Sequence, residues 1–107
     1  MNTYEENCLF EIELSIHEIE SSLGTGFVFQ AEDTNVLLQE TLEREIRLIG
    51  RALGRLVEIN SVITFTATQS ILQFCHSQEE SWDRIWTLLK NHLPSLKKEV
   101  QQWLHHE

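Results

Sequence analysis

The chain has 107 residues, 41% of them apolar, with four Gly, one Pro, two Cys and a formal net charge of -9. That length supports one core and not two, and so few Gly and Pro argue against a turn-rich β-sandwich. The negative charge repels phosphate backbones and argues against general nucleic-acid binding.

The charge is distributed unevenly. Residues 1–43 hold ten acidic side chains and no Lys or Arg, whereas all eight basic residues lie from Arg44 onward beside seven acidic ones. No apolar run approaches the roughly 18 residues of a membrane span. The opening MNTYEENCLF lacks the basic and apolar regions of a signal peptide. These features predict a cytoplasmic protein that does not enter a membrane, with Cys8 and Cys75 as free thiols.

In the first segment Leu9, Ile12, Ile16, Ile19 and Leu23 recur at steps of three and four, with glutamates between them. That spacing predicts an amphipathic helix, capped at its C-terminus by Gly24. Phe27 and Phe29 follow in a short linker and are expected to plug one end of the fold. A long second helix starts near Asp33 or Thr34, either of which can accept from its first N–H groups. Its apolar face is Leu42, Ile46, Ile49, Leu53 and Leu56.

Arg44, Arg47, Arg51 and Arg55 share the other side of that helix, within a stripe of about 80°. Glu40 and Glu43 precede Arg44 and Arg47 by four residues, the stabilising order for helical ion pairs. The row reads either as a solvated, salt-bridged face or as a docking surface for an acidic partner or RNA.

The third segment, VITFTATQSILQFC, leans towards strand on its Thr and β-branched content. A lone strand among helices has no partner, so helix is the expectation. Ser77 with Glu80 then forms a capping box for a fourth segment, in which Trp82, Ile85, Trp86, Leu88, Leu89 and Leu93 precede Pro94, and Leu96, Val100, Trp103 and Leu104 follow it. Pro94 removes a helical hydrogen bond and clashes with the preceding turn. The expected architecture is a single all-α domain over residues 1–107, a four-helix up-and-down bundle with its last helix kinked or broken at Pro94.

Residues that carry chemistry are sparse. His17 and His92 have no partner at ligand or triad spacing, and His105 and His106 sit at the chain end. No phosphate loop, nucleophile elbow or metal signature is present, so no metal or cofactor is implied. His76, beside Cys75, reads most simply as a helix-terminal histidine complementing the dipole.

Two stretches nevertheless resemble a family. EREIRLIGRALGRL (43–56) and WDRIWTLLKNHLPSLKKEVQQWL (82–104) are similar to the HepT-like branch of the HEPN superfamily. Its pattern runs R-E-I-x-x-I-G-E-A-x-x-x-L, then Arg-x-x-x-x-His, then a tryptophan helix ending L-P-x-L-x-x-x-V. Arg44, Glu45, Ile46, Ile49, Gly50, Ala52 and Leu56 match the first element, and Trp86, Leu93, Pro94, Leu96 and Val100 the last.

The resemblance implies a dimeric four-helix bundle related to metal-independent ribonuclease toxins, which pair with a small MNT-type nucleotidyltransferase. In such enzymes an Arg holds the scissile phosphate and a His moves the proton. Here the motif is degenerate. Its His falls on Cys75 or His76, its Arg on Ser70 or Ile71, and its usual Tyr on Ser77 or Gln78.

Losing the phosphate-binding Arg removes most of the electrostatic stabilisation such a reaction needs. The leading expectation is therefore a nuclease-decayed homodimeric interaction module with a nucleotidyltransferase-type partner. Arg44, Arg47, Arg51 and Arg55 are its candidate contacts. One alternative is an atypical ribonuclease using His76, with RNA as its substrate and Cys75 and Ser70 at the motif positions. The other is a stand-alone structural or regulatory bundle.

Overall fold

A computed structural model describes residues 3–23, 36–76 and 82–105. They form helices α1 (Thr3–Leu23), α2 (Val36–Ile59), α3 (Thr68–His76) and α4 (Trp82–His105). No strand occurs among the described residues. The expected Gly24 cap, the Phe27–Phe29 plug, the Asp33 or Thr34 cap, the Ser77–Glu80 box and the side chain of Trp82 lie outside them.

Pairs along the helices give their directions. Arg55 of α2 bonds Glu11 of α1, Arg47 of α2 meets Cys75 of α3, and Glu99 of α4 meets Thr66 just before α3. Late residues of one helix thus meet early residues of its neighbour, which makes successive helices antiparallel. Lys97 on Glu20, at 2.9 Å, joins α4 to α1.

The apolar periodicities become the core. In α1, Leu9, Ile12, Ile16 and Ile19 are buried, and Glu5 and Glu6 in the first turn favour the positive end of the helix dipole. α2 places Leu42, Ile46, Ile49, Leu53 and Leu56 inside, none more than 1% exposed. α4 adds Ile85, Leu89, Leu96 and Val100, with Trp103 and Leu104 packed partly against them.

The third segment corrects its expected helix length. Helix begins only at Thr68, and residues 60–67 run as turn and coil. Asn60 shapes the turn after α2, its Oδ1 accepting from the Val62 N–H at 3.0 Å. Beyond it Ile63, Phe65 and Ala67 are buried while Val62, Thr64 and Thr66 are exposed. The Ile63 N–H donates to the Asn60 carbonyl at 3.1 Å and the Thr68 N–H to the Phe65 carbonyl at 3.2 Å, closing a turn at each end. The β-leaning residues therefore lie in a connection built of two turns rather than in a strand. Glu99 holds it in place, its two carboxylate oxygens accepting from the Thr66 N–H at 3.0 Å and the Thr66 hydroxyl at 2.6 Å.

Of the kink or break expected at Pro94, the break does not occur. α4 runs unbroken from Trp82 to His105 through this residue. Proline inside a helix costs roughly 3 kcal/mol. Leu89 and Leu96, buried on either side of exposed Pro94, keep both halves docked on one core. Their burial outweighs the lost hydrogen bond.

Gly50 sets the spacing between α2 and α3. A Cβ there would overlap Cys75 Sγ and would meet Cys75 Cβ at 3.6 Å and Ile71 Cγ2 at 3.5 Å. Gly54, one turn on, has nothing within 4 Å of the same position. Gly54→Ala should therefore raise unfolding free energy by up to about 1 kcal/mol through helix propensity. Gly50→Ala should lower it by about 1–3 kcal/mol through overpacking, and adding Cys75→Ala should return most of that loss. Urea unfolding of the three variants measures this, and a destabilised Gly54→Ala or an unrescued Gly50→Ala would contradict the packing account.

Candidate functional site

Ser70, Cys75 and His76, onto which the resemblance projects its motif, occupy one short helix, but they do not converge. Residues five apart on a helix point about 140° away from each other. Ser70 accordingly opens onto a cleft between α3 and α4, while Cys75 turns its sulfur towards Gly50 on α2. His76 is exposed at the C-terminal end of α3, where a protonated imidazole complements the helix dipole.

The arginine nearest this helix end comes from α2. Arg47 Nη1 donates to the Cys75 carbonyl at 3.1 Å, satisfying one of the last carbonyls of α3 that helix geometry leaves without a partner. Its Nε lies 3.6 Å from Glu43, the helical pair expected from the spacing, and its guanidinium sits 5.7 Å from the Phe74 ring centre. Arg84 of α4 lies 5.9 Å from the same ring. Phe74 is buried between them, so two cation–π contacts draw α2, α3 and α4 together.

The arginine row is consequently not one continuous solvated face. Arg47 straps α3, and Arg55 bonds Glu11 of α1. Arg44 is 68% exposed along its side chain and lies 3.7 Å from Glu45, rather than pairing with Glu40. Arg51 is exposed. Arg44 and Arg51 are therefore the members of the row that present most to an incoming partner.

Sequence spacing missed the grouping in the α3–α4 cleft. Ser70, Gln73, Phe74, Asp83, Arg84 and His92 line it, enclosing about 310 Å³. His92 has no useful neighbour along the chain, yet the fold sets it in the same cleft as Arg84 and Ser70. The available signal was modest: Arg84, Leu88 and His92 follow at steps of four on one side of α4. Asp83 lines the same cleft and offsets the guanidinium charge, so the cleft is not strongly cationic.

Both thiols are free. Burial pushes the Cys75 thiol above its ordinary range, with Arg47 pulling the other way. Burial does the same to Cys8, against Arg55 and with Glu11 and Glu5 adding to the rise. A raised thiol is a poor nucleophile at neutral pH, so Cys75 is a packing group here. Among the described residues no three His, Cys, Asp or Glu side chains gather as a metal ion requires, and no helix is long and apolar enough to cross a membrane. His105 is exposed at the end of α4, and His106 lies outside the described residues.

No family model, curated protein or solved structure matches the chain.

The thiol environment gives a pH dependence with a definite sign. Each thiol's folded-state pKa exceeds its unfolded value, so its contribution to stability is fully present below the unfolded value and is lost as pH rises through the folded one. The urea midpoint should fall above about pH 9, the ordinary thiol range, and Cys75→Ala with Cys8→Ala should flatten that part of the fall. Arg47→Met should raise the Cys75 pKa further, moving the pH profile of its alkylation in the folded protein to higher pH. A profile moving to lower pH would show that Arg47 does not act on this sulfur.

Proposed function

We propose that the chain is a nuclease-decayed helical interaction module of the HepT-like HEPN kind, working as a homodimer with a nucleotidyltransferase-type partner. The observation that carries this reading is the engagement of Arg47. It is the arginine drawn to the helix end that bears His76, and its guanidinium is already committed to the Cys75 carbonyl, Glu43 and the Phe74 ring. A guanidinium that braces α3 is poorly placed to hold a scissile phosphate, and without that charge a lone imidazole provides little transition-state stabilisation. Ser70 and Cys75, at the other motif positions, supply a hydroxyl and a packed thiol in place of a cation and a base.

The four-helix architecture and the use of Gly50 as the close-approach point between α2 and α3 support the same reading. Both fall on residues that carry the resemblance, Ile49-Gly50 and Leu93-Pro94-x-Leu96. The exposed Arg44 and Arg51 supply contacts for an acidic surface on the partner.

Incubating the purified protein with a mixed tRNA pool in EDTA should yield no cleavage above the buffer control, for the parent chain and His76→Ala alike. Cleavage by the parent that disappears in His76→Ala would overturn the decayed-site reading and establish a metal-independent ribonuclease centred on His76.

A further inference from the structure

Beside its buried stripe, α1 leaves a second apolar pair outside the core. Phe10 is 53% exposed and Leu14 61%. Four residues apart, the two are neighbours on the helix surface and form one continuous patch. The patch opens into a groove between α1 and α4 of about 670 Å³. Glu13 and Glu20 line its α1 wall, and Lys97 and Gln101 line its α4 wall. From Phe10 to Glu20 the groove runs about 15 Å at 1.5 Å per residue, the length of three helical turns.

Charge selects what this groove can take. Lys97 is the only Lys or Arg that lines it, and its Nζ already donates to both Glu20 carboxylate oxygens, at 3.1 and 2.9 Å. Glu13 borders the apolar pair, with Glu6 one turn before Phe10 and Glu18 one turn after Leu14. Among the described residues no Lys or Arg pairs with any of these three carboxylates. α1 itself contains neither Lys nor Arg. Exposed apolar side chains rimmed by charge of one sign suit a contact of the opposite sign.

We propose that the α1–α4 groove is a docking site for a basic amphipathic helix of a partner protein. Such a helix sets apolar side chains, one turn apart, against Phe10 and Leu14. Lys and Arg on its flanks then meet Glu6, Glu13 and Glu18. Phosphate backbones and anionic lipid surfaces are repelled by the same carboxylates. The proposal goes beyond the functional reading above, because the groove belongs to α1 and α4 whereas Arg44 and Arg51 belong to α2. Its failure would leave that reading as it stands.

Fluorescence anisotropy of three labelled synthetic helical peptides, titrated with the full chain at low salt, tests the proposal. The first carries leucines at helical spacing with lysines on its flanks. The second keeps the leucines and replaces every lysine by glutamate. The third has the composition of the first with its leucines scattered around the helix. The first should bind with micromolar Kd, and the other two roughly tenfold or more weakly. Phe10→Ala and Leu14→Ala, both at exposed positions, should each weaken the first peptide by roughly tenfold with unchanged circular dichroism. Glu13→Lys combined with Glu18→Lys should do the same. Absence of binding up to millimolar peptide overturns the proposal, as does equal binding of the scattered peptide or affinity indifferent to Phe10 and Leu14. Self-association of the parent that Leu14→Ala abolishes also overturns it, by giving the groove to a second copy.

Discussion

The burial of α2 on three sides is the constraint from which the other arrangements follow. Its five fully enclosed apolar residues, Leu42, Ile46, Ile49, Leu53 and Leu56, lie against a core to which α1, α3 and α4 all contribute. At roughly 1.5–3 kcal/mol for each such side chain, that stripe contributes heavily to the stability of so small a domain. Once it is buried, the polar side of the same helix has only the edges of its neighbours and solvent to meet. The arginines are distributed accordingly, one to the α1 edge, one to the α3 edge and two outward.

That division separates packing from availability. Arg47 and Arg55 are cations in composition but cross-braces in the fold, each closing a seam between helices. Arg44 and Arg51 share their helix and spacing and remain presented to solvent. A row that looks uniform on a helical wheel is thus two pairs with different duties. The same holds at α3, where Ser70, Cys75 and His76 are neighbours in sequence and point to a cleft, a glycine notch and solvent.

Polar contacts then refine what apolar burial roughly places. Glu99 clamps the connection before α3 at Thr66, and Lys97 joins α4 to Glu20 of α1. The exposed ion pairs each contribute little to stability. Their value lies in register, because each links one helix to a defined level of the next.

The amino-acid sequence by itself determined the helical class, the four segments and most core positions of α1, α2 and α4, because a 3.6-residue apolar period has one favourable answer in water. It also determined that no Arg is followed five residues later by a His, since identity at a position needs no coordinates. Tertiary structure decided the rest. It made residues 60–67 a connection of two turns rather than helix, with Ile63, Phe65 and Ala67 turned into the core, and it carried α4 through Pro94 because both flanking halves bury leucine. It also placed His92 in the cleft with Arg84 and Ser70, and set Cys75 against Gly50. Such groupings depend on how separate helices approach one another, and that approach is set by side-chain volume across an interface, which periodicity along one chain does not encode.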